Sequence, residues 1–340
     1  MTPDNTVPPV ESGLIVQSGG ALARLPDGGT PALAEIINRS LVQILTSKAL
    51  AARHRIGEHE LCGPDYRLVC ALAEDMGLTP EETLRRLLLT GGKGLECWDT
   101  RIENGRFKAL RFREETLRIS SIPVIEGLGV ETVSLGLHEG FVRLDVSMFP
   151  NLTELSCWNN QLTEMDLSHV PNLTVLSCNR NQLTELNLSQ VPNLTELWCY
   201  QNHLTELDLS HVPNLTVLSC SGNQLAELDL SQVPNLTELA CNENHLTELD
   251  LSHVPNLSWL SCSGNHLTEL DLSQVPNLTE LFCYQNQLTE LDLSQVRNLT
   301  LLSCSGNQLT EVDIRNLWNL ETLECDPATR LIQNPDQNFR

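Results

Sequence analysis

LTELWCYQNHLTELDLSHVPN, residues 194–214, is one copy of a 21-residue unit that repeats without a break from Leu152 to Asn319. A ninth, incomplete copy begins at Leu320, and the eight complete copies begin at Leu152, Leu173, Leu194, Leu215, Leu236, Leu257, Leu278 and Leu299. A period near twenty residues indicates that the units stack, because one such unit cannot bury its apolar face alone. We number the positions of the unit from 1 to 21, starting at its first leucine.

Both halves of the unit alternate apolar and polar residues. Position 4 is Leu and position 6 is Cys, as in Leu197 and Cys199, which is the period of a half-buried strand. Only about ten residues return the chain, too few for a helix and two turns. We therefore expect one strand per coil, then a second short strand or extended segment, in a flat, weakly curved solenoid. The recurring Asn at position 9 is a polar residue that a ladder of hydrogen bonds can satisfy if it is buried.

Positions 1 to 11, Leu-x-x-Leu-x-Cys-x-x-Asn-x-Leu, resemble the signature of leucine-rich repeats. The short remainder of the unit is similar to that of the 21-residue bacterial class called IRREKO. The resemblance implies a parallel strand at each Leu-x-Cys pair, a concave face lined by these strands, and an Asn amide that bonds to the backbone of adjacent coils. The predicted fold is α+β: a leucine-rich-repeat parallel β-solenoid of short 21-residue coils over residues 152–325, preceded by a small helical domain.

The chain before the repeats has a different composition. Residues 1–30 are rich in Pro, Gly and Ser, which predicts a flexible N-terminus. Residues 31–94 are predicted to form the helical domain. Its helices are expected from Pro31 to about His54, from Pro64 to Met76 and from Thr79 to Leu89.

Both ends of the solenoid are expected to carry caps. Residues 95–151 are predicted to be an N-terminal cap, with a hairpin at Asn104-Gly105. The cap contains two segments that look like decayed repeats, Phe107-x-x-Leu110-x-Phe112 and Val130-x-x-Val133-x-Leu135. Residues 326–340 follow a break in the pattern at Asp326-Pro327, and we expect them to form a C-terminal cap and tail.

The net charge of −23 is unevenly distributed. Residues 1–150 contain 16 Lys and Arg and 20 Asp and Glu, whereas residues 151–340 contain 5 and 24. An acidic excess of this size argues against nucleic acid and anionic lipid as partners of the repeats, because binding of both depends on Lys and Arg. It is consistent with a solvated acidic face or with a basic protein partner.

Cysteine usage and hydropathy bear on location. Nine of the twelve cysteines occupy position 6, where Cys acts as a small apolar residue facing the core. A row of free thiols favours a reducing compartment. No apolar run reaches the roughly 18 residues of a membrane span, and the N-terminus lacks a signal-peptide pattern. We therefore predict a cytoplasmic protein without membrane association.

Positions 3, 5 and 7 are predicted to project from the concave face into solvent. Position 3 alternates between Glu and an apolar residue, so the pattern repeats every 42 residues. Aromatic residues beside glutamates on a rigid sheet suit a binding face, because Trp and Tyr dominate interface energetics. Free drift of exposed residues after a recent duplication is the alternative. The candidate partner-binding residues are Glu154, Trp158, Glu196, Trp198, Tyr200, Glu238, Trp259, Glu280, Phe282 and Tyr284.

No catalytic, cofactor or metal site is predicted. The position-6 thiols would lie in a line rather than a tetrahedron, and His245 and His266 on adjacent coils lack further ligands. Cys62, Cys70 and Cys97 lie outside the row, and no oxyanion site or third catalytic residue accompanies them. We therefore expect the protein not to be an enzyme.

The sequence thus predicts a protein-interaction module that binds a basic or mixed-charge protein on its concave face. Two alternatives stay open. One is an effector exported to a host cell, with residues 1–30 as its export tag. The other is a DNA-linked regulator, because residues 68–89 are similar to the helix pair of ribbon-helix-helix regulators. Residues 55–61 would then be the DNA-reading strand, although Glu58 and Glu60 would repel phosphate.

Overall fold

The computed structural model describes residues 149–337 without a break. Before them it describes seven strands between residues 15 and 134, Glu131 next to the last of these strands, and single positions within 69–84 and 144–147. The chain divides into two compact units, Met1–Ala52 and Arg53–Arg340. No helix among these described residues is long and apolar enough to cross a membrane.

The described part of the chain contains eighteen short strands. Before the regular repeats they are β1 (Ile15–Ser18), β2 (Ala21–Arg24), β3 (Arg53–Ile56), β4 (His59–Cys62), β5 (Arg101–Glu103), β6 (Arg106–Arg111) and β7 (Thr132–Ser134). The repeats contribute β8 (Glu154–Ser156), β9 (Val175–Ser177), β10 (Glu196–Trp198), β11 (Val217–Ser219), β12 (Glu238–Ala240), β13 (Trp259–Ser261), β14 (Glu280–Phe282) and β15 (Leu301–Ser303). The C-terminal end contributes β16 (Glu311–Asp313), β17 (Thr322–Glu324) and β18 (Arg330–Ile332).

Twelve of these strands form one sheet, in the order β17, then β15 back to β5. The strands from β6 to β15 and β17 are parallel, and identical positions of successive coils face each other. Leu197, for example, pairs with Leu176 on one side and Leu218 on the other. The predicted parallel solenoid of about nine coils is therefore confirmed for the repeats.

The apolar positions of every coil point into one continuous core. Leu197 at position 4, Cys199 at position 6 and Val212 at position 19 are all fully buried. The same cluster extends through Val133 to Leu61 and other residues near the N-terminal end of the sheet. Burial raises the pKa of the Cys178, Cys220 and Cys262 thiols to about 12. These cysteines therefore pack as neutral apolar side chains, as their position predicted.

The asparagine at position 9 joins each coil to its neighbour. The side-chain amide of Asn223 donates to the Cys220 carbonyl of its own coil at 2.9 Å and to the Cys199 carbonyl of the preceding coil at 3.1 Å. Its Oδ1 accepts from the Leu204 N–H at 3.0 Å. The same bonds recur from Asn181 to Asn307, so the predicted buried asparagine ladder is confirmed.

Position 8 turns the chain out of each strand with a positive φ. Three coils place glycine there, as at Gly222 with φ of 62°, and the others tolerate larger residues such as Gln201. A Cβ at Gly222 would lie 3.2 Å from the Gln201 Cγ of the preceding coil. Glycine relieves both the conformational strain and the close approach at these turns.

The second half of the coil is extended rather than paired in the inner repeats. It makes one backbone hydrogen bond to the previous coil, as from the His203 N–H to the Leu183 carbonyl at 2.8 Å. The Asp208 carboxylate accepts from the Ser210 N–H at 2.9 Å. This backbone N–H is therefore used within its own coil and does not form a strand-to-strand hydrogen bond with a neighbouring coil. Within residues 149–337, this half forms a strand only at β16, which pairs with β18.

Both caps contain sheet structure. β5 and β6 form the predicted antiparallel hairpin around Asn104-Gly105. β6 and β7 continue the parallel register, with Leu110 opposite Val133 and Val133 opposite Leu155, which supports their interpretation as decayed repeats. At the other end, the Gln337 side-chain amide donates to the Ile314 carbonyl at 2.9 Å. The predicted C-terminal cap therefore contains a strand and a side-chain hydrogen bond to the preceding coil, neither of which the sequence predicted.

The segments before the repeats differ from expectation in two places. β1 and β2 form an antiparallel pair inside residues 1–30, where no regular element was predicted. The intervening Gly19-Gly20 is a favoured hairpin pair, a signal that the composition of this region obscured. β3 and β4 also form an antiparallel pair, so residues 55–61 are not the single strand that the ribbon-helix-helix similarity required.

The predicted helices fall mostly outside the described residues. The described positions Val69, Cys70, Ala73, Pro80 and Leu84 are helical, within two of the predicted segments. Thr79 is described and precedes the helical Pro80 without being helical itself. The remainder of those segments, and residues 31–52 of the first predicted helix, lie outside the described residues. His54, at which the first predicted helix was expected to end, is instead part of β3.

Replacing Asn223 by Ala is expected to lower the free energy of unfolding by about 3 kcal/mol, because it leaves the buried Leu204 N–H without its acceptor and removes two further hydrogen bonds. Equilibrium urea denaturation measures the change. The matched control is Asn214→Ala, which removes one exposed bond of 3.4 Å to the Pro192 carbonyl and should cost less than about 0.5 kcal/mol. Equal losses in the two variants would show that the ladder does not stabilise the solenoid.

The buried thiols are expected to resist alkylation in the native protein near neutral pH. Thiolate is the reactive species, and burial suppresses both its formation and reagent access from Cys157 to Cys304. Cys325 is only partly buried and should react first in this row. Mass spectrometry after iodoacetamide treatment, with and without denaturant, identifies the modified residues. Rapid native labelling of Cys220 would contradict the observed packing.

Candidate interaction surface

The side of the sheet that faces away from the core, which we call the sheet face, presents positions 3 and 5 of each coil, and position 7 follows just beyond the strand. This is the face that the sequence predicted to bind a partner. Because strands in a sheet are about 4.8 Å apart, each position forms a row along the solenoid. Most of the large side chains on this face are half-buried, whereas Glu238 and Tyr284 are exposed. The face therefore offers accessible aromatic surface that neighbouring coils hold in place.

One group of candidate residues lies on a single coil. Glu196, Trp198 and Tyr200, at positions 3, 5 and 7, form what we call the first aromatic cluster. Trp198 lies in register between Ser177 and Ser219, and its Nε1 donates to the Glu196 Oε2 at 3.4 Å. The indole is thus oriented by a carboxylate of the same strand and flanked by small residues.

A second group spans two adjacent coils. Trp259, Glu280, Phe282 and Tyr284 form what we call the second aromatic cluster. The Trp259 Nε1 donates to the Glu280 Oε2 of the next coil at 3.0 Å. The ring centroids of Trp259 and Phe282 are 5.8 Å apart with a tilt of 50°, within the range of favourable aromatic pairs. Tyr284, 36% exposed, completes the cluster.

The remaining candidates do not join these clusters. Glu154 lies opposite Val175, two coils before the first cluster, and the half-buried Trp158 belongs to the same coil as Glu154. Glu238 lies in register with Trp259 on one side and Val217 on the other. The ten predicted residues therefore share one face but concentrate in two clusters about 14 Å apart, which is three coil spacings.

Position 5 is less accessible than the sequence predicted where it is serine. Ser219 beside Trp198 is 9% exposed, and Ser261 and Ser303, on either side of Phe282, are 4% and 1% exposed. An aromatic neighbour is not required for this burial, because Ser156, which lies between Ser134 and Ser177, is only 3% exposed. Ser177, which lies beside Trp198, is half-buried.

The charge of this part of the solenoid is entirely acidic. No Lys or Arg occurs between Arg180 and Arg297. Glu196 and Glu280 each use one oxygen to accept from an indole, which leaves the carboxylate charge available to a cationic group. In residues 149–337 and the other described positions, no three His, Cys, Asp or Glu side chains are grouped as metal ligands require.

The solenoid has a second surface, which the sequence did not reveal. A groove of about 1700 Å³ follows positions 13 to 15 of seven successive coils, and not the sheet face. Its carboxylates are those of the Glu-x-Asp pattern, as in Glu206 and Asp208. The feature of the sequence that could have indicated this groove is the recurrence of Glu-x-Asp in nearly every copy. In a single repeat, the same pattern resembles an ordinary solvent-exposed edge.

Family models identify the repeats. The model of Leucine Rich repeats in two copies matches residues 150–190, 171–211, 192–232, 213–253 and 255–295, and the Leucine Rich Repeat model matches residues 298–320. Comparison with curated proteins gives no match. The stacked units are leucine-rich repeats, as their first eleven positions suggested. Their assignment to the short bacterial class stays a prediction.

Solved structures show the same fold. The functional domain of InlJ from Listeria monocytogenes, which includes a cysteine ladder, is 37% identical, with a TM-score of 0.54 over 59% of this chain and 48% of that chain. The chain therefore spans about half the length of that structure. The internalin InlF from Listeria monocytogenes is 18% identical, with a TM-score of 0.59 over 79% of this chain and 77% of that one.

A plant structure has the same architecture. It is the ectodomain of the membrane receptor kinase GASSHO1/SCHENGEN3 from Arabidopsis thaliana, in complex with CASPARIAN STRIP INTEGRITY FACTOR 2. It is 22% identical, with a TM-score of 0.54 over 65% of this chain and 29% of that one. The likenesses to InlF and to the plant receptor are likenesses of fold alone.

Proposed function

We propose that this leucine-rich-repeat solenoid is a non-enzymatic protein-interaction module whose sheet face binds a protein partner. The observation that supports this most is the pair of aromatic clusters, each held by an indole-to-carboxylate hydrogen bond on an otherwise regular surface. The partner we infer carries Arg or Lys side chains beside apolar groups, because the clusters combine aromatic rings with glutamates.

Preorganisation favours binding by these clusters. Trp198 and Trp259 are half-buried among neighbouring coils, so much of the entropy cost of fixing their side chains is already met in the free protein. Large, rigid aromatic side chains are also the usual hot spots of protein interfaces. Drift of unused surface residues does not by itself account for two tryptophans on different coils that each donate to a position-3 glutamate.

Charge contributes to specificity and to the rate of encounter. Glu196, Glu238 and Glu280 lie between Arg180 and Arg297, a stretch without Lys or Arg, so no basic side chain of that stretch neutralises their field. Such a surface accelerates association with a basic partner and disfavours acidic ones. The predicted cytoplasmic location and the exported-effector alternative stay predictions from the sequence.

The double substitution Trp198→Ala and Tyr200→Ala is expected to abolish most partner binding. Full-length wild-type and variant proteins are immobilised and exposed to the same lysate. A partner retained by the wild type is then purified, and its affinity is measured for both. Loss of one hot-spot cluster should weaken binding by about 30-fold, equivalent to about 2 kcal/mol.

The matched control removes two side chains of positions that lie away from the sheet face. Gln224→Ala with Gln232→Ala, at positions 10 and 18, should leave the affinity unchanged, because both side chains are exposed outside the clusters. Circular dichroism and urea midpoints verify that all variants are folded. Equal affinity of the aromatic and control variants for every purified partner would refute the proposed sheet-face site.

A further inference from the structure

The groove along positions 13 to 15 has an apolar floor and acidic walls; we call it the acidic groove. Its floor is the row of position-14 leucines, such as Leu207 and Leu228, which are each 8% exposed. The position-4 leucines of the same coils, Leu197 and Leu218, are at most 1% exposed. The floor leucines are thus the part of the core that a molecule in the groove would touch.

The walls carry a Glu at position 13 and, in all but one lining coil, an Asp at position 15. The lining carboxylates are those of Glu185, Glu206, Asp208, Glu227, Asp229, Glu248, Asp250, Glu269, Asp271, Glu290, Asp292, Glu311 and Asp313. The hydroxyl and backbone N–H of Ser210 lower the pKa of Asp208, and those of Ser231 lower the pKa of Asp229. These bonds also fix the direction of the carboxylates.

The last coil of the groove shows which group these walls accept. Arg315 donates from its Nη2 to the Asp313 Oδ2 at 2.6 Å and from its Nε to the Asp313 Oδ1 at 3.0 Å. Arg330 of the C-terminal cap places its Nη1 3.6 Å from the Glu311 Oε2. Glu311 and Asp313 occupy positions 13 and 15, so both wall positions of this coil are paired with guanidinium groups of the chain itself.

The preceding coils repeat the walls without an internal cation of this kind. No Lys or Arg occurs between Arg180 and Arg297. The nearest positive groups recorded for these walls are two histidines, His211 at 3.5 Å from Asp208 and His253 at 3.6 Å from Asp250, which are charged only when protonated. The inner coils therefore present the carboxylate arrangement that the terminal coil fills with arginine.

We propose that the acidic groove is a second binding site, which takes an extended peptide segment of a partner protein that is rich in arginine or lysine. Guanidinium groups would pair with successive wall carboxylates, as Arg315 and Arg330 do, while aliphatic stems pack on the leucine floor. This site goes beyond the sheet-face function and lies on different positions of the coil.

The dimensions of the groove fit an extended segment rather than a small ligand. Its volume of about 1700 Å³ exceeds the roughly 300–1000 Å³ of small-molecule pockets. Seven coils at a spacing of about 4.8 Å span about 29 Å, which an extended chain at about 3.3 Å per residue covers with about nine residues. Affinity should therefore rise with peptide length up to about nine residues.

The test uses a fluorescein-labelled nine-residue peptide of alternating arginine and serine, titrated with the full-length protein at physiological ionic strength. Fluorescence anisotropy reports binding. The groove variant combines Glu206→Gln, Asp208→Asn, Glu227→Gln and Asp229→Asn. Its fold should be preserved, because the chain already has Asn187 at position 15 and its Oδ1 accepts from the Ser189 N–H at 2.9 Å.

The matched control removes exposed carboxylates that lie outside both proposed sites, through Glu243→Gln, Glu321→Gln and Asp336→Asn. We expect the groove variant to bind the peptide at least tenfold more weakly, and the control variant to change affinity by less than threefold. Trp198→Ala with Tyr200→Ala should leave peptide binding intact, which separates this site from the sheet-face proposal. Equal losses in the two charge variants, or no binding by the wild type, would overturn the proposal.

Discussion

The buried asparagine at position 9 is the interaction on which the solenoid depends. It bonds to backbone of its own coil and of the preceding coil, and so satisfies polar groups that the turn after each strand would otherwise leave in an apolar interior. The bonds set both the conformation of the turn and the spacing between coils. Without them, the strands of successive coils would still pair in register, but the turn after each strand would lose its bonds to the asparagine side chain.

Register turns single positions into surfaces. Once coils stack in phase, a residue type that recurs at one position becomes a continuous row, and its chemistry is multiplied along the axis. The sheet face interrupts its rows with a few aromatic residues, which gives local, distinctive clusters. Positions 13 and 15, by contrast, carry nearly the same carboxylates in every coil, which gives a long surface of uniform chemistry.

The periodic part of the fold could be predicted from the sequence because its determinants are local. Leu-x-Cys alternation, the recurring Asn and the Asn104-Gly105 turn can each be recognised within a few residues of sequence, and the structure contains the strands, ladder and hairpin they indicated. The groove could not be predicted this way, because its walls form only when successive coils stack on one another. β18 was also missed, because Arg330-Leu331-Ile332 gains its partner from β16 rather than from its own pattern. The ten sheet-face residues share a face as expected, and their role in binding stays a prediction.

The alternation of position 3 has a consequence for how such a molecule can change over generations. Position 3 repeats every two coils, so a gene rearrangement that gains or loses 42 residues keeps the alternation of Glu and an apolar residue at both junctions. The caps and the hydrogen-bonding scheme are then untouched, while the span available to a ligand changes by two steps. A change in the number of repeats can therefore alter the length of the binding surface, and with it the avidity, without any new amino-acid substitution.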